Sequence, residues 1–76
     1  MSYEVNLQLI KSKRQSKGYT LQEMAQKLGL KGKPEYYRRE IGESKFKSNE
    51  IPMISNILDI DLEKIFTPSV EKIETK

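Results

Sequence analysis

The 76-residue chain contains no cysteine, no histidine and no tryptophan. Without cysteine there is no disulfide and no thiolate metal site. Without histidine, the commonest general base and the commonest metal ligand are both missing. An ordinary zinc site is excluded, and hydrolytic catalysis loses its usual proton carrier. The sequence also has no G-x-S-x-G and no glycine-rich phosphate loop, so no set of nucleophile, base and oxyanion donors can be named. The expectation is a protein that is not an enzyme and carries no cofactor or metal. No apolar run approaches the roughly 18 residues needed to cross a bilayer. The opening Met1-Ser2-Tyr3-Glu4-Val5-Asn6 lacks the basic and apolar regions of a signal peptide, so a cytoplasmic protein is expected.

What is present is charge, and its placement is uneven. Residues 1–48 carry eleven Lys/Arg against five Asp/Glu, a net +6, whereas residues 49–76 carry three Lys against six Asp/Glu, a net −3. A one-sided basic field suits a polyanion partner, because each neutralised phosphate releases counterions. The competing reading is that 33% charged residues simply keep a small domain in solution.

Five helical segments can be read, with no convincing strand. The first is expected from about Tyr3 to Lys17. Tyr3, Leu7, Ile10 and Arg14 lie near one face, Val5 and Leu9 near another, and Gly18 serves as the stop. The second opens with Thr20-Leu21-Gln22-Glu23, the spacing of a capping box. Its apolar stripe is Leu21, Met24, Ala25 and Leu28, and Gly29 ends it. After Leu30-Lys31-Gly32-Lys33, in which Gly32 is expected to make a sharp turn, Pro34 suits the first turn of a third helix ending near Ile41 and Gly42. Two short helices around a tight glycine-bearing turn make a helix-turn-helix over residues 20–42. Ser48 or Asn49 can cap a fourth helix, with Pro52 in its first turn and Ile51, Ile54, Ile57 and Leu58 as its buried face. Asp61 can cap a short fifth helix carrying Leu62, Ile65 and Phe66. The reading is an all-α, compact five-helix domain over residues 1–66, followed by a flexible polar tail at 67–76.

Three stretches carry a family pattern. Gly18-Tyr19-Thr20-Leu21-Gln22-Glu23-Met24-Ala25-Gln26-Lys27-Leu28-Gly29-Leu30 resembles the helix 2 region of the phage repressor and Cro type of helix-turn-helix regulators. Arg38-Arg39-Glu40-Ile41-Gly42-Glu43 is similar to the end of that family's helix 3, and Leu58-Asp59-Ile60-Asp61-Leu62-Glu63-Lys64-Ile65-Phe66 to its closing segment. The three occur in order at the right separations across about residues 5–66. The sequence departs from the pattern at four points. Leu21 replaces the usual phosphate-touching Gln, the turn before helix 3 is one residue longer, Arg39 stands at a normally apolar position, and Ile41 replaces an Asn.

The resemblance implies a lambda repressor-like fold with helix 3 as the recognition helix. Helical spacing puts Glu35, Arg38 and Arg39 on one side of that helix and Tyr36 and Glu40 towards the other. Candidate base contacts are Lys33, Glu35, Arg38 and Arg39. Arg38 leads, since arginine can grip guanine O6 and N7 with two hydrogen bonds. The plain alternative is that Glu35 pairs with Arg38 or Arg39 as a surface ion pair. Candidate phosphate contacts are Thr20, Gln22, Lys31, Tyr37, Lys45 and Lys47. Tyr36 and Phe46 are read as core. The resemblance also implies a structural pair, Arg14 with Glu40, fixing helix 1 against helix 3.

The expected partner is a double-stranded DNA operator of two-fold symmetry, bound by a homodimer. With no room for a ligand-sensing domain, no small-molecule ligand is expected, nor a membrane partner. A Cro-like or small repressor of a phage or mobile element fits that economy by analogy. The alternative is a protein-interaction module of the same fold, an antitoxin or docking domain. Asp59, Asp61, Glu63, Glu71 and Glu74 could meet a basic partner, and Ile65 or Ile73 could lie at a contact.

Overall fold

The computed structural model describes residues 3–68, which form five helices and one two-stranded sheet in the order β1 (Tyr3–Val5), α1 (Leu7–Lys17), α2 (Leu21–Leu28), α3 (Lys33–Glu40), α4 (Glu50–Leu58), α5 (Leu62–Ile65) and β2 (Phe66–Pro68). The domain is helical, and the helices build its core. The sheet was not legible in the sequence. β1 and β2 pair antiparallel, with Tyr3 opposite Pro68, Glu4 opposite Thr67 and Val5 opposite Phe66.

This pairing corrects both ends of the expected layout. The first helix does not begin at Tyr3. Asn6 caps it, its side-chain oxygen accepting from Leu9 N–H at 3.1 Å, and the three residues before it run as strand. Asn6 N–H then donates to the Ile65 carbonyl at 2.6 Å and extends the tie between the two ends of the domain. Thr67 and Pro68 belong to β2 and not to a loose tail, while the rest of the expected tail, and Ile73 with it, lies outside the described residues. Phe66 is strand and not helix, and it is exposed.

The helix stops follow from backbone geometry. At Gly18 (φ 78°) and Gly29 (φ 74°) the chain turns left-handed. In each case the next N–H reaches back to a carbonyl five residues earlier, Tyr19 to Arg14 at 3.1 Å and Leu30 to Ala25 at 2.8 Å. The same closure ends α3 through Gly42 (φ 91°), with Glu43 N–H on the Arg38 carbonyl at 2.8 Å. α4 ends the same way through Asp59 (φ 58°), so here an Asp takes the left-handed position. Gly32, expected to make the sharp turn before α3, is fully extended (φ 177°), and Gly29 supplies the left-handed turn instead. The start of α4 is also built differently from expectation. Neither Ser48 nor Asn49 provides a side-chain cap. Glu50 reaches back to accept Lys47 N–H at 2.9 Å.

The core is one cluster: Ile10 from α1, Met24, Ala25 and Leu28 from α2, Tyr36 from α3, Ile51, Ile54 and Leu58 from α4, Ile60 from the following turn and Ile65 from α5. Leu21, Phe46 and Ile57 pack against its edge. Ile65 is fully buried, so it cannot serve the partner contact expected of it; Leu62 is the exposed apolar residue of α5.

Candidate nucleic-acid interface

α3 is unusual in what it buries. Its inward residues are Tyr36, Arg39 and Glu40, one aromatic ring and two opposite charges. On a 100° wheel these three fall within one arc of about 100°. Lys33, Pro34, Tyr37, Arg38 and, one residue past the end, Ile41 occupy the opposite arc and are exposed. Tyr37 and Ile41 each keep 47% of their surface open, high for such large side chains.

Burial of the two charges is made tolerable by pairing. Arg14 from α1 meets Glu40 through both carboxylate oxygens, Nε to Oε2 at 2.8 Å and Nη2 to Oε1 at 3.0 Å. The Tyr36 hydroxyl donates to the same Oε2 at 2.7 Å, and Arg14 Nη1 donates to the Tyr19 carbonyl at 3.0 Å. The Arg14 pKa is raised, first by its hydrogen bond to Glu40. The Tyr36 pKa is driven well above the ordinary phenol value, first by burial and then by the bond to Glu40. Arg14, Tyr36 and Glu40 thus form one network that fixes α3 against α1.

Arg39 must be removed from the base-contact candidates. Its side chain is only 8% exposed, and it is committed to Glu50 of α4, Nε to Oε1 at 2.8 Å and Nη2 to Oε2 at 3.2 Å. Its Nη1 also donates to the Glu35 carbonyl at 3.1 Å and lies 3.8 Å from the Glu35 carboxylate, both within α3. The cause is the rotation of the helix. Once Tyr36 and Glu40 face inward, position 39 lies on the same side. The apolar residue that the resemblance leads one to expect at this position is replaced by an arginine that remains buried because α4 brings a carboxylate to it.

The other candidates stay at the surface. Arg38 is exposed and touches Glu35 at 3.2 Å across one turn, so the surface ion pair and an outward-facing arginine coexist. Such an exposed pair is worth a few tenths of a kcal/mol, ~0.2–1, and yields easily to a better partner. Lys33 is the first residue of α3, one position earlier than Pro34. Lys31 and Gln22 are exposed. Thr20 completes the capping box: its Oγ1 accepts from Glu23 N–H at 3.0 Å while its own N–H donates to the Glu23 carboxylate at 2.8 Å. Its hydroxyl hydrogen is not used in that box. Lys45 and Lys47 are exposed on either side of Phe46, which is half-buried and meets the Tyr36 ring edge-on at 6.3 Å.

Sequence reasoning missed three surface residues beside α3. A cleft of about 370 Å³ is lined by Gln8 and Lys11 of α1 together with Leu21, Tyr37 and Ile41. Gln8 and Lys11 carried no signal because the face of α1 that would meet α3 was ambiguous. Ile41 was noted only as a replacement for Asn.

With this geometry in place, comparison with known families is decisive. The helix-turn-helix family model matches residues 10–65, most of the chain and all of α2 and α3. The chain belongs to the Cro/C1-type helix-turn-helix family. It is a DNA-binding helix-turn-helix regulator, with the fold of the lambda repressor-like domains. The comparisons with curated proteins and with solved structures return no match. Among the described residues, no helix of this helix-turn-helix domain is long and apolar enough to cross a membrane.

Proposed function

We propose that this helix-turn-helix protein is a sequence-specific transcriptional regulator that seats α3 in the major groove of operator DNA. The observation that carries the reading is the partition of α3. Tyr36, Arg39 and Glu40 are turned inward and internally satisfied, leaving Lys33, Tyr37, Arg38 and Ile41 as the outward face. In the proposed complex Arg38 grips a guanine, Lys33 reaches a base or phosphate, and Ile41 offers an apolar contact of the kind a thymine methyl accepts. Glu35 is half-exposed and can accept from a cytosine amine when its pair with Arg38 opens. Thr20, Gln22, Lys31, Tyr37, Lys45 and Lys47 hold the phosphates on either side of the groove.

The protein acts on a two-fold site as a homodimer, because paired half-sites one helical turn apart are how such modules gain affinity. Occupancy alone suffices for repression, and a Cro-like or small repressor of a phage or mobile element is the reading that family analogy favours. A second reading, a protein-interaction module, draws on Leu62 and Phe66, large apolar side chains that stay exposed beside the acidic Asp59, Asp61 and Glu63. Selection of bound duplexes from a random pool tests the first reading. A palindromic consensus is expected. The absence of any duplex binding even at low salt would replace it with the second.

A further inference from the structure

Glu50 does more than neutralise Arg39. Its Oε1 accepts two hydrogen bonds, one from Arg39 Nε at 2.8 Å and one from the backbone N–H of Lys47 at 2.9 Å. A single carboxylate, 5% exposed, therefore joins α4, the inner face of α3 and the loop that carries Lys45 and Lys47. Other ties hold that loop as well, and two of them lead to α3. Ser44 N–H donates to the Arg38 carbonyl at 3.1 Å, and the Phe46 ring rests edge-on against Tyr36. Arg38 and Arg39 are adjacent, so the side chain offered for base reading and the one held by Glu50 turn together.

Apolar packing cannot set the rotation of α3 alone, since Tyr36 is its one buried ring. A buried ion pair is a poor source of stability compared with apolar residues of the same volume, and its best-attested use is to fix one geometry. We infer that Glu50 is a positioning residue for DNA recognition: through Arg39 and Lys47 N–H it locks the loop lysines and the recognition helix into one register on the DNA. The inference rests on the DNA-reading function proposed above. Arg39 and Glu50 touch no DNA in this scheme. They act by making Arg38 meet its base and Lys45 and Lys47 meet their phosphates simultaneously.

The test compares the full chain with two variants, the apolar replacement R39M/E50M and the isosteric E50Q, each first checked for folding by circular dichroism at low temperature. Affinities for a pool-selected duplex and for a random duplex are then measured across a salt series. For a folded variant the selected-to-random ratio should fall by ~10-fold or more, the scale of one lost base contact. The salt slope of the selected complex should shrink by about 1 to 2, the count of lysines released from register. Random-duplex affinity should stay close to that of the parent, because the exposed cations are all retained. A purely structural role would move the melting temperature but neither the ratio nor the slope. A folded variant that keeps both overturns the inference, as does failure of both variants to fold, which would make the pair a stability element only. If the parent itself shows no preference among duplexes, the DNA-reading function is what fails, and the parent measurement alone reveals it.

Discussion

Replacing Glu40 by Gln is the sharpest perturbation of the frame that holds the recognition helix. The carboxylate takes three hydrogen bonds, two from Arg14 at 2.8 and 3.0 Å and one from the Tyr36 hydroxyl at 2.7 Å. An amide cannot satisfy all of them. With its oxygen towards Tyr36 and Arg14 Nε, its NH2 confronts Arg14 Nη2, donor against donor. Turned the other way, it strands Arg14 Nε. In both orientations the Arg14 charge is left in a site where its side chain is 11% exposed. Breaking a buried pair by removing one partner costs about 3–5 kcal/mol, and the slight access of Arg14 to water argues for the lower end, about 3. A domain of this size has ~4–11 kcal/mol of stability in total. At 4–8 °C per kcal/mol, the melting temperature should drop by about 12–24 °C. Thermal melting by circular dichroism at pH 7 reads the shift, and a urea titration with unchanged slope would show that the unfolded state is not responsible. Below its transition the variant should keep the parent's base preference, because the Arg39–Glu50 pair that sets the rotation of α3 is untouched. A Glu40→Gln protein melting within about 3 °C of the parent would refute the reasoning, since that corresponds to less than 1 kcal/mol.

Four further outcomes follow from the same geometry. Arg38→Ala should relax preference at one position per half-site at a cost of ~1–3 kcal/mol, whereas Lys45→Ala should weaken all duplexes alike and flatten the salt slope by about 1; binding to a substitution series across salt separates them. Tyr36 keeps its proton in the folded state beyond the pH at which the unfolded phenol loses it. Its stabilising contribution is therefore complete below about pH 10 and lost above it at up to ~1.4 kcal/mol per pH unit. Tyr36→Phe should remove that part of the alkaline slope while costing about 1–3 kcal/mol at neutral pH, both read by urea titration. Gly42→Ala should destabilise more than Gly29→Ala. Both glycines have positive φ, worth about 1–2 kcal/mol for any side chain, but only at Gly42 does an added Cβ come within 3.3 Å of Leu7 Cδ1. Equal melting points for those two variants would contradict the close approach of α1 and the end of α3.

The parts of the fold written in local chemistry were readable in advance. α2 is the clearest, since Thr20, Glu23 and Gly29 mark its ends and Met24, Ala25 and Leu28 its inner face within ten residues. What was illegible depends on residues far apart. Three residues of strand at each end of the domain carry no periodic signal, and β1 exists because β2 returns to it. The rotation of α3 was misjudged at Arg39 for a related reason. The helix is so charged that the sequence pattern cannot tell an outward arginine from an inward one, and the deciding partner, Glu50, lies 11 residues on in another helix. The Arg14 and Glu40 pair could be placed beforehand only because the resemblance implied it, since neither residue's neighbours announce the other.

The central claim is that α3 reads bases from the major groove. Methylation interference on the pool-selected duplex tests it most directly, because dimethyl sulfate marks guanine N7 in the major groove and adenine N3 in the minor groove. N7 methylation of one guanine in each half-site should block the parent, while Arg38→Ala, already unable to grip that guanine, should be indifferent to it. Interference confined to adenine N3, or a guanine signal unchanged in Arg38→Ala, would contradict it.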